Sequence, residues 1–76
     1  MKFGVIELSH ITLKVYDILG RKVAVLVNEP KDCGRYTVIW DAKEMPSGVY
    51  SYRLDAMGIK EAKKLYTDVK KLVIIR

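Results

Sequence analysis

Residues 11–21 read ITLKVYDILGR, and this stretch decides the fold class. Ile11, Leu13 and Val15 fall on one face of an extended chain, and Thr12, Lys14 and Tyr16 on the other. Strict alternation of this kind marks a strand with one buried face. Gly20 then supplies the left-handed residue of a turn into the next strand. Two further stretches follow the same rule. In GRYTVIWDA (34–42), Tyr36, Val38 and Trp40 alternate with Thr37 and Ile39; in SGVYSYRL (47–54), Tyr50, Tyr52 and Leu54 alternate with Val49, Ser51 and Arg53. Lys22–Val27 is apolar and β-branched, and Lys2–Leu8 is short and β-friendly. Between them, Ser9-His10 reads as a turn, 28–34 as a polar loop and Asp41–Ser47 as a second loop. Short strands separated by turn signals about every 8–12 residues predict an all-β sandwich or barrel.

The last third supports two readings. Ile59, Ala62, Leu65, Tyr66, Val69, Leu72 and Val73 recur at helical spacing with lysines between them. Against a helix, no good capping side chain precedes Ile59, and Tyr66-Thr67 and Leu72–Ile75 lean toward strand. The alternative is a hairpin that turns near Gly58 and returns over 63–76.

The chain has 76 residues with no internal repeat or linker, which predicts one domain over 1–76. One cysteine, Cys33, excludes an intrachain disulfide, and one histidine with no Cys-x-x-Cys predicts no metal site. Stability must come from an apolar core. The expected core is Phe3, Val5, Ile11, Leu13, Val15, Val23, Leu26, Tyr36, Val38, Trp40, Tyr50, Tyr52, Leu54, Leu72 and Ile74. On that reading Trp40→Ala costs about 3–5 kcal/mol.

The formal net charge is +5, and most of the excess lies late in the chain, where six basic residues from Lys60 to Arg76 meet only Glu61 and Asp68. Such a segment suits an acidic partner, nucleic acid or anionic lipid, or simply a solvated face. No run reaches the ~18–20 apolar residues of a membrane span, and MKFGVIELSH is too short in apolar residues for a signal peptide.

Catalytic chemistry is not expected. Ser9 and His10 are neighbours on an extended chain and point to opposite faces, so they cannot form a nucleophile–base pair. Cys33 reads as an exposed loop thiol beside Asp32, and His10 as a turn histidine. The glycines stand apart, with no phosphate-cradling loop and no cofactor signature. The tyrosines fall in phase with apolar neighbours, which favours packing over a base-stacking platform.

Three groups of words carry a family resemblance. These are Val15-Tyr16-Asp17 with Gly20-Arg21, the Trp40-Asp41 step, and Gly48 with Tyr50, Tyr52 and Leu54. Together with the basic-apolar run Lys70-Lys71-Leu72-Val73-Ile74-Ile75-Arg76, they resemble the type IX secretion system C-terminal sorting domain, type A. A related Ig-like module occurs in flagellar hook-capping proteins, but the short Lys43–Ser47 loop fits the sorting type better. The resemblance implies an Ig-like or fibronectin-III-like antiparallel β-sandwich of about seven strands, with the tail as a strand. It implies a tyrosine-corner-like bond at Gly48-x-Tyr50. It also implies a non-catalytic tail, fused to a cargo, that outer-membrane secretion machinery reads through its last strand. The protein would pass the periplasm on its way to the cell surface or the medium.

Two other readings remain at this point: a structural or adhesive Ig-like module without a sorting role, and a small basic β domain that binds nucleic acid. The expected strands carry no proline to blunt their edges, so pairing or swapping of an edge strand between two copies is expected as well.

Overall fold

The computed structural model describes residues 1–41, 43, 45–60 and 63–75. Six strands form among them: β1 (Lys2–Val5), β2 (Ser9–Tyr16), β3 (Lys22–Lys31), β4 (Gly34–Thr37), β5 (Gly48–Gly58) and β6 (Lys64–Ile74). No described residue is helical. All pairing is antiparallel. β1 and β4 make a two-stranded sheet, and a four-stranded sheet has the order β3-β2-β5-β6.

β2 lies inside the larger sheet, and its alternation becomes a burial pattern. Ser9, Ile11, Leu13 and Val15 are 0% exposed. Leu13 sits opposite Val27 on β3 and Leu54 on β5, so three strands contribute to one layer of the core. Phe3 and Val5 of β1 close that layer from the small sheet. The Phe3 ring stacks on Tyr36 of β4 at 5.5 Å between centroids. This is a sandwich of unequal layers, because four-residue strands cover strands of 8–11 residues. Where the cover ends, Val15, Leu26, Val38, Trp40, Tyr52 and Leu72 line an open apolar depression of about 210 Å³.

Several expectations are corrected. The described residues form six strands rather than about seven. The segment 38–40 leaves the ladder after Thr37, because Thr37 already pairs with Lys2, the first residue of β1. Only Val38 continues, its N–H donating to the Met1 carbonyl at 2.7 Å and its carbonyl accepting from the Met1 amino group. Trp40 is therefore half-buried, and its ring meets Tyr50 edge-on at 5.7 Å.

Ser9 and His10 are strand residues, not a turn. The bend is at 6–8, closed by the Ser9 hydroxyl donating to the Glu7 carbonyl at 2.7 Å, and it leaves Ile6 77% exposed. The polar loop expected over 28–34 shrinks to Asp32-Cys33, and β3 runs on through Pro30. An edge strand tolerates this, since it pairs on one side only. The helix considered for 59–73 is replaced by β6.

The core also shifts. Bulges in the β2–β3 ladder pass over Leu26 and Val23, leaving both half-buried, while Val27 becomes buried. A bulge adds one residue and reverses the inward phase, which simple alternation cannot foresee. Ala56 and Ser9 are further buried residues outside the expected set. Tyr36, Val38, Tyr52, Leu72 and Ile74 are half-buried rather than fully enclosed.

Candidate recognition edge

β6 ends the larger sheet. It pairs with β5 from Gly48↔Ile74 to Met57↔Lys64, and no strand of the described residues lies on its other side. Lys70, Lys71, Leu72, Val73 and Ile74 all lie within it. Their side chains divide by alternation. Val69, Lys71 and Val73 share the outer face, and Val69 and Val73 are 58% and 63% exposed. Leu72 and Ile74 are half-buried on the inner face. Lys70 also points inward but is exposed, with its Nζ 3.9 Å from Asp68 Oδ2. Ile75 lies past the strand and is 87% exposed, and Arg76 is outside the described residues.

Beyond the backbone ladder, an ionic cluster ties the strand to β5. Asp55 accepts from the Thr67 hydroxyl at 2.7 Å and from Arg53 Nε at 3.1 Å, with Lys64 Nζ at 3.8 Å. Burial raises the Asp55 pKa, but these donors and cations outweigh it and hold the carboxyl below its ordinary value.

Apart from Leu54, which lies mid-strand opposite Leu13, the motif residues gather toward the same end of the sandwich as Val73. Tyr16 is half-buried at the end of β2, opposite Ser51. Asp17 organises the turn that follows. Its Oδ1 accepts the Leu19 and Arg21 N–H groups at 2.9 Å each, and its Oδ2 accepts Arg21 Nε at 2.8 Å. Gly20 has φ +82°, and its N–H donates to the Asp17 carbonyl at 3.0 Å. Asp41 caps its own loop, accepting from the Lys43 N–H at 3.1 Å. Leu54 is buried, and Tyr52 is half-buried beside Trp40 and Leu72.

The Asp17 arrangement has a pH consequence. The Arg21 backbone N–H bond holds its carboxyl below the ordinary value against some desolvation, helped by the Arg21 side chain and the Leu19 N–H. A lowered folded-state pKa stabilises the turn above the ordinary carboxylate range and loses that contribution as pH falls through the folded value. Amide exchange at Leu19 and Arg21 should therefore speed up on acidification beyond its intrinsic pH trend. Asp17→Asn should remove that excess dependence; an unchanged profile would show that the carboxylate does not order the turn.

The tyrosine corner is present. The Tyr50 hydroxyl donates to the Pro46 carbonyl at 2.7 Å, with Gly48 at φ +158° under its ring. A second corner was missed in the sequence. The Tyr36 hydroxyl donates to the Asp32 carbonyl at 2.6 Å, and Gly34 has φ +152°. Both are Gly-x-Tyr with a carbonyl four residues before the tyrosine, so the repeat of that word was the available signal. Side chains rarely tolerate such φ values, which explains why glycine precedes each ring. Sequence reading also missed the exposed Ile18, Leu19 and Val49, which lie near Lys71 and the start of β5.

Among the described residues, no group of three or more His, Cys, Asp or Glu could hold a metal ion. Cys33 is free and exposed. His10 lies in β2 rather than a turn, with its Nε2 2.7 Å from Asn28 Oδ1. No helix of the described residues is long and apolar enough to cross a membrane.

The described residues thus define a small all-β domain, an unequal sandwich whose larger sheet ends in two long edge strands, β3 and β6. The chain belongs to the secretion system C-terminal sorting domain family, whose model matches residues 2–74. It is thus a non-catalytic sorting domain of type IX secretion. Such a domain works with the secretion machinery, is joined to a cargo, and serves export to the cell surface or the extracellular space. Neither curated proteins nor solved structures yield a match.

Proposed function

We propose that the secretion machinery reads this domain through β6 and the residues after it, Lys70–Arg76, during passage through the periplasm. The observation that carries this is the outer edge of β6, which no strand of the described residues covers and beside which Lys70 and Lys71 are exposed. An unpaired edge offers backbone donors and acceptors to an incoming strand, and alternate side chains give such pairing its specificity. The two lysines add attraction toward an acidic partner surface. The motif residues Tyr16, Asp17, Gly20, Arg21, Trp40, Asp41, Gly48, Tyr50, Tyr52 and Leu54 have a different role. They build the turns and packing that hold β5, and through it β6, in place.

The test must leave the fold intact. Replacing Lys70 and Lys71 with Gln keeps length and polarity and should change stability by less than about 0.5 kcal/mol. Each domain is fused behind an exported reporter in a bacterium with type IX machinery. The unmodified fusion is expected at the surface or in the medium, and the double Gln variant partly retained in the periplasm. Equal export of both would remove the lysines from recognition.

A further inference from the structure

We propose that two copies of this chain pair through β6, antiparallel and two-fold symmetric, in a single register centred on Val69. The larger sheet has two open edges, β3 and β6. Pro30 interrupts the donors of β3, whereas β6 contains no proline across its 11 residues. β6 is therefore the better template for a second strand.

Symmetry restricts the choices. In a two-fold antiparallel pair, opposite residues share a face, so the axis passes beside one residue. Centring on Asp68, Lys70 or Lys71 would set each of these against its own copy, placing like charges opposite, which destabilises a sheet. Centring on Thr67 would set Lys64 against the partner's Lys70. Centring on Tyr66 or Leu72 would pair only five residues of each strand within Lys64–Ile74.

Val69 avoids all of these costs. It is the midpoint of β6, so the seven regular residues from Tyr66 to Leu72, up to the bulge at Leu65, all pair. Asp68 then faces the partner's Lys70, and symmetry repeats that ion pair. Tyr66 faces the partner's Leu72, and Thr67 faces the partner's Lys71. Both charges are accessible, with Lys70 and Asp68 side chains 56% and 44% exposed, and Val69 itself is 58% exposed. The charges near the middle of the strand thus act as a register code, favouring one alignment and opposing its neighbours. This pairing stands whether or not the same edge is read during export; if it is, dimer and secretion machinery compete for it.

The experiment uses the full chain carrying Cys33→Ser. Sedimentation equilibrium into the millimolar range should show a weak monomer–dimer equilibrium. Asp68→Lys should weaken it about tenfold, and so should Lys70→Asp alone. Combining the two exchanges the charges and should restore it, because residues 68 and 70 face each other across the axis. Circular dichroism confirms that each variant is folded, and either single variant suffices if the other is not. Under mild oxidation Val69→Cys should form a disulfide-linked dimer, since opposite Cα atoms lie about 4.5–5.5 Å apart, within disulfide range. Val73→Cys, four residues from the axis and so far from its own copy, should link far more slowly. A strict monomer at all concentrations would overturn the proposal. So would a dimer indifferent to the charge variants. A dimer in which β6 is swapped would place residue 69 opposite the partner's Arg53; loss of selective linking at residue 69 would reveal it and overturn the register.

Discussion

Leu13→Ala should bring this protein close to unfolding at room temperature. Leu13 is 0% exposed and lies between Val27 and Leu54, where strands on both sides prevent the site from collapsing. Truncating a buried leucine costs about 2–5 kcal/mol, from lost transfer energy and the cavity left behind. Stability scales at about 0.05–0.15 kcal/mol per residue, so a chain this short has only about 4–11 kcal/mol in total. Urea titration followed by circular dichroism should show a large drop in midpoint with little change in slope. Trp40→Ala provides the contrast. The sequence reading put Trp40 in the full core, but it is half-buried at the rim of the open depression. Its loss should cost about 2 kcal/mol, less than full burial would demand. If Trp40→Ala were the more damaging variant, the centre of packing would lie at the open end of the sandwich and not around β2.

The second large effect is expected at Tyr50, and two substitutions separate its causes. Tyr50→Ala removes a ring that is 5% exposed and packs edge-on against Trp40, at a cost of about 3–5 kcal/mol. Tyr50→Phe keeps the ring and removes only the hydroxyl bond to the partly buried Pro46 carbonyl, costing about 1 kcal/mol. The equivalent Tyr36→Phe should cost less, because the Asp32 carbonyl it serves is exposed to water, which replaces the lost donor. Equal thermal midpoints for Tyr50→Phe and the unmodified protein would mean that the corner orients the chain without stabilising it.

The two tyrosines also show how much was legible. Their motif needs only four or five consecutive residues, so the geometry is local. The Gly48–Tyr50 corner could be read from the family word, and the Gly34–Tyr36 corner from the same spacing. The Asp17–Arg21 turn was legible for the same reason, since its bonds lie within five residues. The recognition edge was readable only in part. Lys70–Ile74 could be placed on a strand, but no local pattern says which edge of a sheet a strand will occupy.

By itself the sequence determined the class of the fold, because a period of two over 11–16 cannot be satisfied by a helix with one buried face. It determined the family through short words that specify turns and corners. It also determined much of the core, with Phe3, Val5, Ile11, Leu13, Val15, Tyr50 and Leu54 all buried where alternation put them. Tertiary structure decided the rest. The late segment carries helical and strand periodicities together, and pairing of β6 with β5 at every residue but the bulged Leu65 selects the strand. The bulges opposite β2 exchange Val23 and Leu26 for Val27, because an added residue reverses which face turns inward. The four-residue length of β1 and β4 sets how much of the larger sheet is covered, and so leaves Trp40 and Leu72 beside an open depression. Each of these outcomes depends on a partner strand distant in the chain, and that is why no window of sequence contains it.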